Sequence, residues 1–303
     1  MSEKKIYHQV VCFGEVLWDI LPNNSVPGGA PMNVAYHLQK LGKQAAVITR
    51  IGSDKMGRQL QKIFSGYGVC TDFFQIDENI PTGKVYAEFK ENNEVTYDIV
   101  KPSAWDLIEW RDELMPLIKN AEYFVFGSLS TRTEQSKRTL FTCLETANTK
   151  VLDINMRPPH YNKNIVEELL LKANILKLNL AELHLITGWF TDYTNDEDRI
   201  KLLREKFDLD VIIVTKGGDG AILNIGSQFY SHPGYVVEVA DTVGSGDAFL
   251  AGTISRLIDG SPPKETLDFA SRLGAFVASR KGACPDYELQ DIGRAIQEIH
   301  INI

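Results

Sequence analysis

DTVGSGDAFLAG, Asp241 to Gly252, connects a strand-like segment to a helical one through a turn with two glycines. The preceding YVVEVADT has the composition of a strand, and the following DAFLAGTISRLI has apolar residues at helical spacing. Glycine lets the backbone approach a ligand closely, and the first N–H groups of a helix lie unpaired at the positive end of its dipole. The stretch therefore predicts an anion-binding turn. The residues of that turn are Gly244, Ser245 and Gly246.

Asp247 follows this turn directly, in the first turn of the predicted helix. A carboxylate there is stabilised by the helix dipole without any further role. Beside an anion site it can also act as a general base that takes a proton from a hydroxyl as the oxygen attacks phosphorus. Other nucleotide motifs are missing: the sequence contains no G-x-x-x-x-G-K-[ST], no dinucleotide fingerprint and no H-R-D or D-F-G triplet.

Apolar runs of strand length alternate with helical patterns along the chain, which predicts a doubly wound α/β fold with a mainly parallel sheet flanked by helices. The runs are VVCFGEVLWDIL, AAVITRIG, YFVFGSL, KVLDIN, NILKLN and DVIIVTKGG. One segment, residues 84–100, alternates with period two and predicts an inserted antiparallel hairpin with one apolar face. This hairpin could cover a site, form a subunit interface or extend the core sheet. That face comprises Val85, Ala87, Phe89, Val95, Tyr97 and Ile99.

The composition excludes several classes of protein. The 303 residues carry a formal charge of −8, which disfavours binding to nucleic acid or to a membrane surface. The N terminus has no long apolar stretch, and no run reaches the length of a membrane span. The four widely spaced cysteines predict buried free thiols rather than disulfides or a zinc site. We therefore expect a soluble, cytoplasmic protein.

Two stretches carry a resemblance to a known family. DTVGSGDAFLAG resembles the C-terminal signature of the PfkB, or ribokinase-like, sugar kinases, and GGAPMNVAYHLQKLG, residues 28–42, resembles their N-terminal signature. Further matches occur at DINMRP, NLAE and TKGGDG, so the resemblance spans nearly the whole chain. It implies a single kinase domain, residues 1–303, in which the hairpin forms part of a small β lid. It also implies ATP-dependent phosphorylation of a sugar or nucleoside alcohol, with Asp247 as the base.

The resemblance assigns residues to the sugar and to the nucleotide. Sugar-binding residues would be Asp19, Gly28, Gly29, Asn33 and Arg157. Nucleotide-binding residues would be Asn179, Glu182, Thr215, Gly217, Gly220, Asp241 and Thr242. Asn179 and Glu182 would also hold Mg²⁺, mainly through water, although their spacing equally predicts a capping pair at a helix start. Many family members bind a monovalent cation such as K⁺ near the glycine turn and near ASRKGACP, residues 278–285.

GEVLWDILP, GGAPMN and DINMRPPHY are most similar to the bacterial fructokinases, which implies D-fructose as substrate and fructose 6-phosphate as product. Val100 is a departure, since related fructokinases often carry arginine there, near the sugar. The loss of this cation counts against fructose and against an acidic sugar, although Lys101 could partly compensate. Alternatives are a kinase for ribose, for the sugar acid 2-keto-3-deoxygluconate or for a nucleoside, and, more remotely, a non-catalytic sugar-binding regulator. The apolar face of the hairpin predicts either a homodimer through the lid or closure over the sugar.

Overall fold

The computed structural model describes residues 7–21, 24–89, 95–192 and 195–300, with side chains except at 87–97 and 295–300. The chain divides into two compact units. Unit 1 comprises Met1–Phe124 and Ser130–Asn148, and unit 2 comprises Val125–Leu129 and Thr149–Ile303. Within the described residues, no helix is long and apolar enough to cross a membrane.

Unit 1 contains parallel strands with helices between them, and a separate small sheet. Its strands are β1 (Val10–Phe13), β2 (Leu17–Leu21), β3 (Asn24–Gly28), β4 (Ala45–Gly52), β5 (Phe74–Asp77), β6 (Gly83–Phe89) and β7 (Val95–Ile99). Its helices are α1 (Ala30–Lys40), α2 (Lys55–Gly66), α3 (Leu114–Asn120) and α4 (Glu134–Thr146). Strands β1, β4 and β5 pair in parallel, whereas the small sheet has the order β3-β2-β6-β7.

Unit 2 carries the second set of alternating strands and helices. Strand β8 (Tyr123–Gly127) leads the chain into it, followed by β9 (Thr149–Asp153), β10 (Ile175–Asn179), β11 (Val211–Thr215), β12 (Ala221–Ile225) and β13 (Gln228–His232). The helices are α5 (Lys163–Leu170), α6 (Leu180–Gly188), α7 (Asp196–Phe207), α8 (Ser245–Ile258), α9 (Pro263–Ala278) and α10 (Leu289–His300). Strands β9, β10 and β11 are parallel, and β12 and β13 extend them as an antiparallel edge.

The core follows the predicted periodicities. Strand β10 buries Ile175, Leu176 and Leu178, and α7 buries Ile200, Leu203 and Phe207 on one stripe. The burial of both faces of such strands explains their continuous apolar runs. The doubly wound α/β prediction, with a mainly parallel sheet flanked by helices, is confirmed. All four cysteines are free thiols, although only Cys12 and Cys143 are buried and Cys70 and Cys284 are partly exposed.

Two local predictions are wrong. The opening run VVCFGEVLWDIL is divided between β1 and β2, which belong to different sheets. YVVEVADT forms no strand: residues 233–242 have no regular structure, and Val236 and Val239 are 73% and 60% exposed. The β-branched composition is present, but β-propensity is expressed only where a neighbouring strand offers pairing and packing.

The hairpin lies close to the predicted bounds. Strands β6 and β7 pair antiparallel, with Val85 opposite Ile99 in register, and both of these side chains are buried within a single chain. Tyr86, which points to the other face, is 40% exposed. Ala87, Phe89, Val95 and Tyr97 have side chains outside the described residues. The base of the predicted apolar face is therefore covered by the chain itself.

Candidate active site

The glycine turn and the start of α8 lie within unit 2. Gly244 is the N-cap of α8 with a φ of 77°, in the left-handed region that favours glycine. A Cβ at this position would lie 2.4 Å from the Cβ of Ala283, so a side chain would clash as well as strain the backbone. The Ser245 N–H donates to the Thr242 carbonyl at 3.3 Å, which closes the turn directly before the helix. Gly244, Ser245 and Gly246 thus lie at a helix N terminus, as the sequence predicts.

Asp241 holds this turn against the chain segment that follows α9. One of its carboxylate oxygens accepts from the Val243 N–H at 3.0 Å, and the other accepts from the Gly282 N–H at 3.1 Å. Its own N–H donates to the Ala278 carbonyl at 3.2 Å. Asp241 therefore has a structural role that the sequence did not predict. Its neighbour Thr242 is exposed beside the turn.

Asp247 is buried in the first turn of α8, although it carries a carboxylate. It lies within electrostatic range of Lys177, whose ammonium binds the Asp153 carboxylate at 2.8 and 3.0 Å. Burial alone would lower the pKa of Lys177, but Asp153 and Asp247 raise that pKa above its ordinary value. Although Cys284 is partly exposed as a residue, burial of its sulfur and then the charge of Asp247 raise the pKa of its thiol, which stays protonated. The site therefore combines a buried carboxylate with a buried cation.

Asn179 and Glu182 form a capping box at the start of α6. The Asn179 side chain accepts from the Glu182 N–H at 2.9 Å, and Glu182 accepts from the Asn179 N–H at 2.8 Å. The second oxygen of Glu182 accepts from the Met156 N–H at 2.8 Å. Burial raises the pKa of Glu182. The predicted capping pair is confirmed, and both carboxylate oxygens already have backbone partners.

The nucleotide residues of the predicted loop follow β11. Thr215 pairs with Asn179 in the β10–β11 register, so these two positions adjoin at the carboxyl ends of the strands. Gly217 and Gly220 have positive φ values of 60° and 84°, and the Lys216 N–H donates to the Gly220 carbonyl at 2.8 Å. A Cβ on Gly220 would lie 1.9 Å from the His232 carbonyl oxygen. Close backbone approach explains the glycine here without a ligand.

Arg157 lies after β9 in the DINMRP segment and is exposed, with its guanidinium 3.4 Å from the Met156 carbonyl. Asn155, two residues before Arg157, has a φ of 36°, a backbone conformation that costs energy for a residue other than glycine. Such backbone strain concentrates at functional segments. The strained turn supports a role for this segment, while the contact of Arg157 with a sugar or phosphate stays a prediction.

The predicted sugar residues of unit 1 lie together. Asp19 is on β2, and β2 pairs with β3, which ends at Gly28. A Cβ on Gly28 would lie 2.4 Å from the Asp19 carboxylate, so the glycine makes room for this side chain. Gly29 is the N-cap of α1, with a φ of 118°, and Asn33 is buried in the first turn of that helix. Asp19 and Asn33 therefore flank one turn.

Sequence reasoning missed three polar groups. These are Glu15 beside the start of α1, and Asp153 and Lys177 beside the start of α8. Glu15 is buried and accepts from the Ala30 N–H at 3.2 Å, at the start of α1. Asp153 and Lys177 are register partners on β9 and β10. The available signal was a single charged residue inside or at the end of an apolar run, as in KVLDIN and NILKLN. Lysine and aspartate are almost never fully buried unless paired.

Comparison with known proteins identifies the family of the chain. The family described as "pfkB family carbohydrate kinase" matches residues 9–289. The chain is 32% identical to a probable chloroplastic fructokinase-6 of Arabidopsis thaliana, over 91% of this chain and 79% of that protein. It is 28% identical to a fructokinase of Escherichia coli, over 91% and 94% of the two chains. The crystal structure of a Xylella fastidiosa fructokinase with bound ATP superimposes with a TM-score of 0.83 at 24% identity, covering 95% of this chain and 98% of that one.

The fold and the helix-terminal carboxylate define a phosphotransferase of the ribokinase-like class. The chain belongs to the pfkB family of carbohydrate kinases. It is therefore an enzyme that transfers a phosphoryl group to the hydroxyl of a sugar.

Proposed function

We propose that this chain uses ATP to phosphorylate a primary hydroxyl of D-fructose, with fructose 6-phosphate and ADP as products. The observation that carries the proposal is the buried carboxylate of Asp247, which directly follows the turn at residues 244–246 in the sequence and lies in the first turn of α8. The relatives at 28–32% identity over 91% of the chain are named as fructokinases or probable fructokinases, which supports fructose as the sugar. ATP is supported by the family and by the named ligand of the Xylella fastidiosa protein.

The proposed reaction uses these residues as follows. Asp247 accepts the proton of the attacking hydroxyl while the sugar oxygen bonds to the γ-phosphorus and the bond to the ADP oxygen breaks. Negative charge on the transferred phosphoryl group is stabilised by the N–H groups and the dipole at the start of α8. The burial of Asp247 keeps its carboxylate away from bulk water. Positioning and charge stabilisation, rather than a covalent intermediate, carry the rate enhancement.

The residues of this site fit a divalent cation that is held mainly through water. Within the described residues, no group of three or more His, Cys, Asp or Glu side chains could hold a metal ion. Both oxygens of Glu182 accept backbone hydrogen bonds. Their remaining lone pairs can accept hydrogen bonds from metal-bound water. We infer that Mg²⁺ would be held mainly by the nucleotide phosphates and by water. Asn179 and Glu182 would contact the ion through those water molecules. Bound there, it would neutralise phosphate charge; a requirement for K⁺ stays a prediction.

The sugar is proposed to lie against the turn of unit 1. Asp19 can accept two hydroxyl hydrogen bonds and Asn33 can both donate and accept, a suitable set for a polyol. Gly28 leaves room for the Asp19 side chain and Gly29 for the Glu15 carbonyl, so both glycines shape the turn that would hold the sugar. Val100 removes the cation that related fructokinases often carry near the sugar, which counts against fructose and also disfavours an acidic sugar such as 2-keto-3-deoxygluconate. Ribose and nucleosides remain alternatives to fructose.

Three further proposals concern the whole chain. Residues 1–303 form a single kinase domain with the hairpin 84–100 in its lid, and the family match over residues 9–289 supports this. The chain assembles as a homodimer through the lid. A cytoplasmic location stays a prediction from the sequence.

The substrate is tested by ADP release with Mg-ATP across D-fructose, ribose, 2-keto-3-deoxygluconate and nucleosides, with a reaction lacking sugar as the blank. The expected result is the highest kcat/KM for D-fructose. A higher kcat/KM for ribose, a sugar acid or a nucleoside would replace fructose by that substrate. Failure of every alcohol to raise ADP release above the blank would contradict the proposed function itself.

A further inference from the structure

One buried ion pair of unit 2 takes no part in the proposed proton transfer to Asp247. Lys177 lies on β10 between buried Leu176 and Leu178, and its register partner on β9 is Asp153. Both side chains are at least nine-tenths buried, and the ammonium donates to both oxygens of the carboxylate, at 2.8 and 3.0 Å. The pair is therefore desolvated and bidentate rather than a surface contact.

The ammonium of Lys177 lies close to the glycine turn at Gly246. A Cβ built on Gly246 would be 3.0 Å from its Nζ and 3.8 Å from its Cε. A side chain at position 246 would therefore press on a group that Asp153 holds in place. The absence of a Cβ on Gly246 lets the first turn of α8 and the ammonium pack closely. Asp247, the next residue, lies within electrostatic range of the same ammonium.

The Asp153 and Asp247 carboxylates favour a cation in this position, whereas the helix terminus beside it does not. A positive charge near a helix N terminus is repelled by the helix dipole, whereas the C terminus favours it. Replacement of a buried ion pair by well-packed apolar residues is often neutral or stabilising. The surrounding strand residues are apolar, so an apolar side chain would match them. A negative charge that arrives or develops at the turn would offset this cost.

We propose that Lys177, held by Asp153, is a positioning residue for phosphoryl transfer. Its ammonium fixes the first turn of α8 through Gly246 and adds positive charge behind the turn, where the transferred phosphoryl group carries its negative charge. This inference rests on the proposed function, because it needs the start of α8 to be the transfer site. Lys177 acts through the turn and takes part in no bond that forms or breaks.

Two substitutions, alone and together, separate this role from a structural one. Lys177→Met keeps most of the side-chain volume and removes the charge, but it leaves the Asp153 carboxylate buried and unpaired. Asp153→Asn combined with Lys177→Met removes both charges, so most of the lost stability should return. The control is Lys163→Met, which makes the same change on an exposed side chain at the start of α5. Steady-state kinetics and thermal unfolding are measured on each protein.

The expected result is a kcat about 10²-fold lower in Lys177→Met, comparable with the loss of one group that stabilises transition-state charge, with little change in the KM of sugar or ATP. The double variant should regain thermal stability but keep the low kcat, and Lys163→Met should match the wild type. Return of kcat together with stability in the double variant would overturn the proposal, as would an unchanged kcat in Lys177→Met. Asp247→Asn is measured in parallel: full activity in that variant would refute the proposed base whatever the Lys177 variants show.

Discussion

At the scale of single residues, the two aspartates of the glycine turn contribute in different ways. Asp241 uses both oxygens to hold backbone N–H groups of the turn and of the segment after α9. Asp247 is buried at the helix start, where the dipole stabilises its ionised form. The first carboxylate shapes the turn, and the second is the proposed general base. Substitution of each should therefore affect different quantities.

Asp247→Asn should retain the fold and ATP binding and lose most of the turnover. The amide preserves the shape of the side chain but cannot accept the hydroxyl proton, and general-base catalysis contributes roughly 10²–10⁴-fold. The measurement is kcat with saturating sugar and ATP. Asp259→Asn, at the exposed C-terminal end of the same helix, is the matched control. A kcat above about a third of the wild-type value would show that Asp247 does not act as the base, because the expected loss is far larger.

Asp19→Ala should raise the KM of the sugar and leave the KM of ATP almost unchanged. A hydrogen bond to a charged group contributes about 1.5–3 kcal/mol, which corresponds to roughly a 10- to 100-fold change. Asn33→Ala should act in the same direction. Ser25→Ala, an exposed position on the neighbouring β3, serves as the control. Loss of ATP binding with sugar binding retained would place Asp19 in the wrong subsite.

At the scale of secondary-structure elements, the base of the hairpin is anchored by Arg132. Its guanidinium binds both oxygens of Asp106, at 2.6 and 2.9 Å, and donates to the carbonyls of Ile99 and Val100 at 3.1 and 2.8 Å. It also stacks on Trp105, 3.8 Å from the ring centre. Arg132 and Asp106 are almost fully buried. The end of β7 is thus fixed to the turn at residues 104–107.

Arg132→Gln should destabilise the protein more than any loss of a surface charge. It leaves the buried carboxylate of Asp106 without its cation, and breaking a buried pair costs about 3–5 kcal/mol. The free energy of unfolding is measured by chemical denaturation, with Arg138→Gln on the exposed face of α4 as the control. Equal unfolding free energies for the two variants would show that the anchor does not stabilise the hairpin base.

How far the sequence determines these elements depends on the range of the interactions involved. The helical spacing of DAFLAGTISRLI and the capping box at Asn179 and Glu182 are local patterns, and both were predicted correctly. YVVEVADT failed as a strand because pairing depends on a neighbour that local sequence does not specify. The Asp153–Lys177 pair was missed for a related reason: helix α5 separates β9 from β10, and their register is set by tertiary packing. The odd lysine in NILKLN was visible, but its partner was not.

At the scale of the whole molecule, assembly through the lid is open to a direct test. The wild type should form a homodimer in light scattering. Phe89→Asp should yield monomers if the hairpin face is an interface, since burial of an unpaired carboxylate is costly. If the face only closes over the sugar, the same variant should raise the sugar KM at unchanged mass. Tyr86→Asp places the charge on the exposed opposite face and is the control.

Wild-type mass and wild-type kinetics in Phe89→Asp would show that the hairpin has neither role. Phe89 itself lies outside the residues with described side chains, whereas Val85 and Ile99 at the hairpin base are already buried within one chain. The part of the face available to a second chain is therefore expected toward the tip. Dissociation of the dimer by Tyr86→Asp instead would place the interface on the other face.

This carbohydrate kinase is proposed to transfer the γ-phosphoryl group of ATP to the primary hydroxyl at C6 of D-fructose. Phosphorus and proton NMR of the product formed from D-fructose and Mg-ATP tests it most directly, because D-fructose carries two primary hydroxyls and phosphorus coupling identifies the esterified carbon. We expect a single new phosphomonoester coupled to the C6 protons, formed by the wild type and strongly reduced in Asp247→Asn. A phosphate on C1, or the absence of a fructose phosphate when another alcohol is phosphorylated readily, would contradict it.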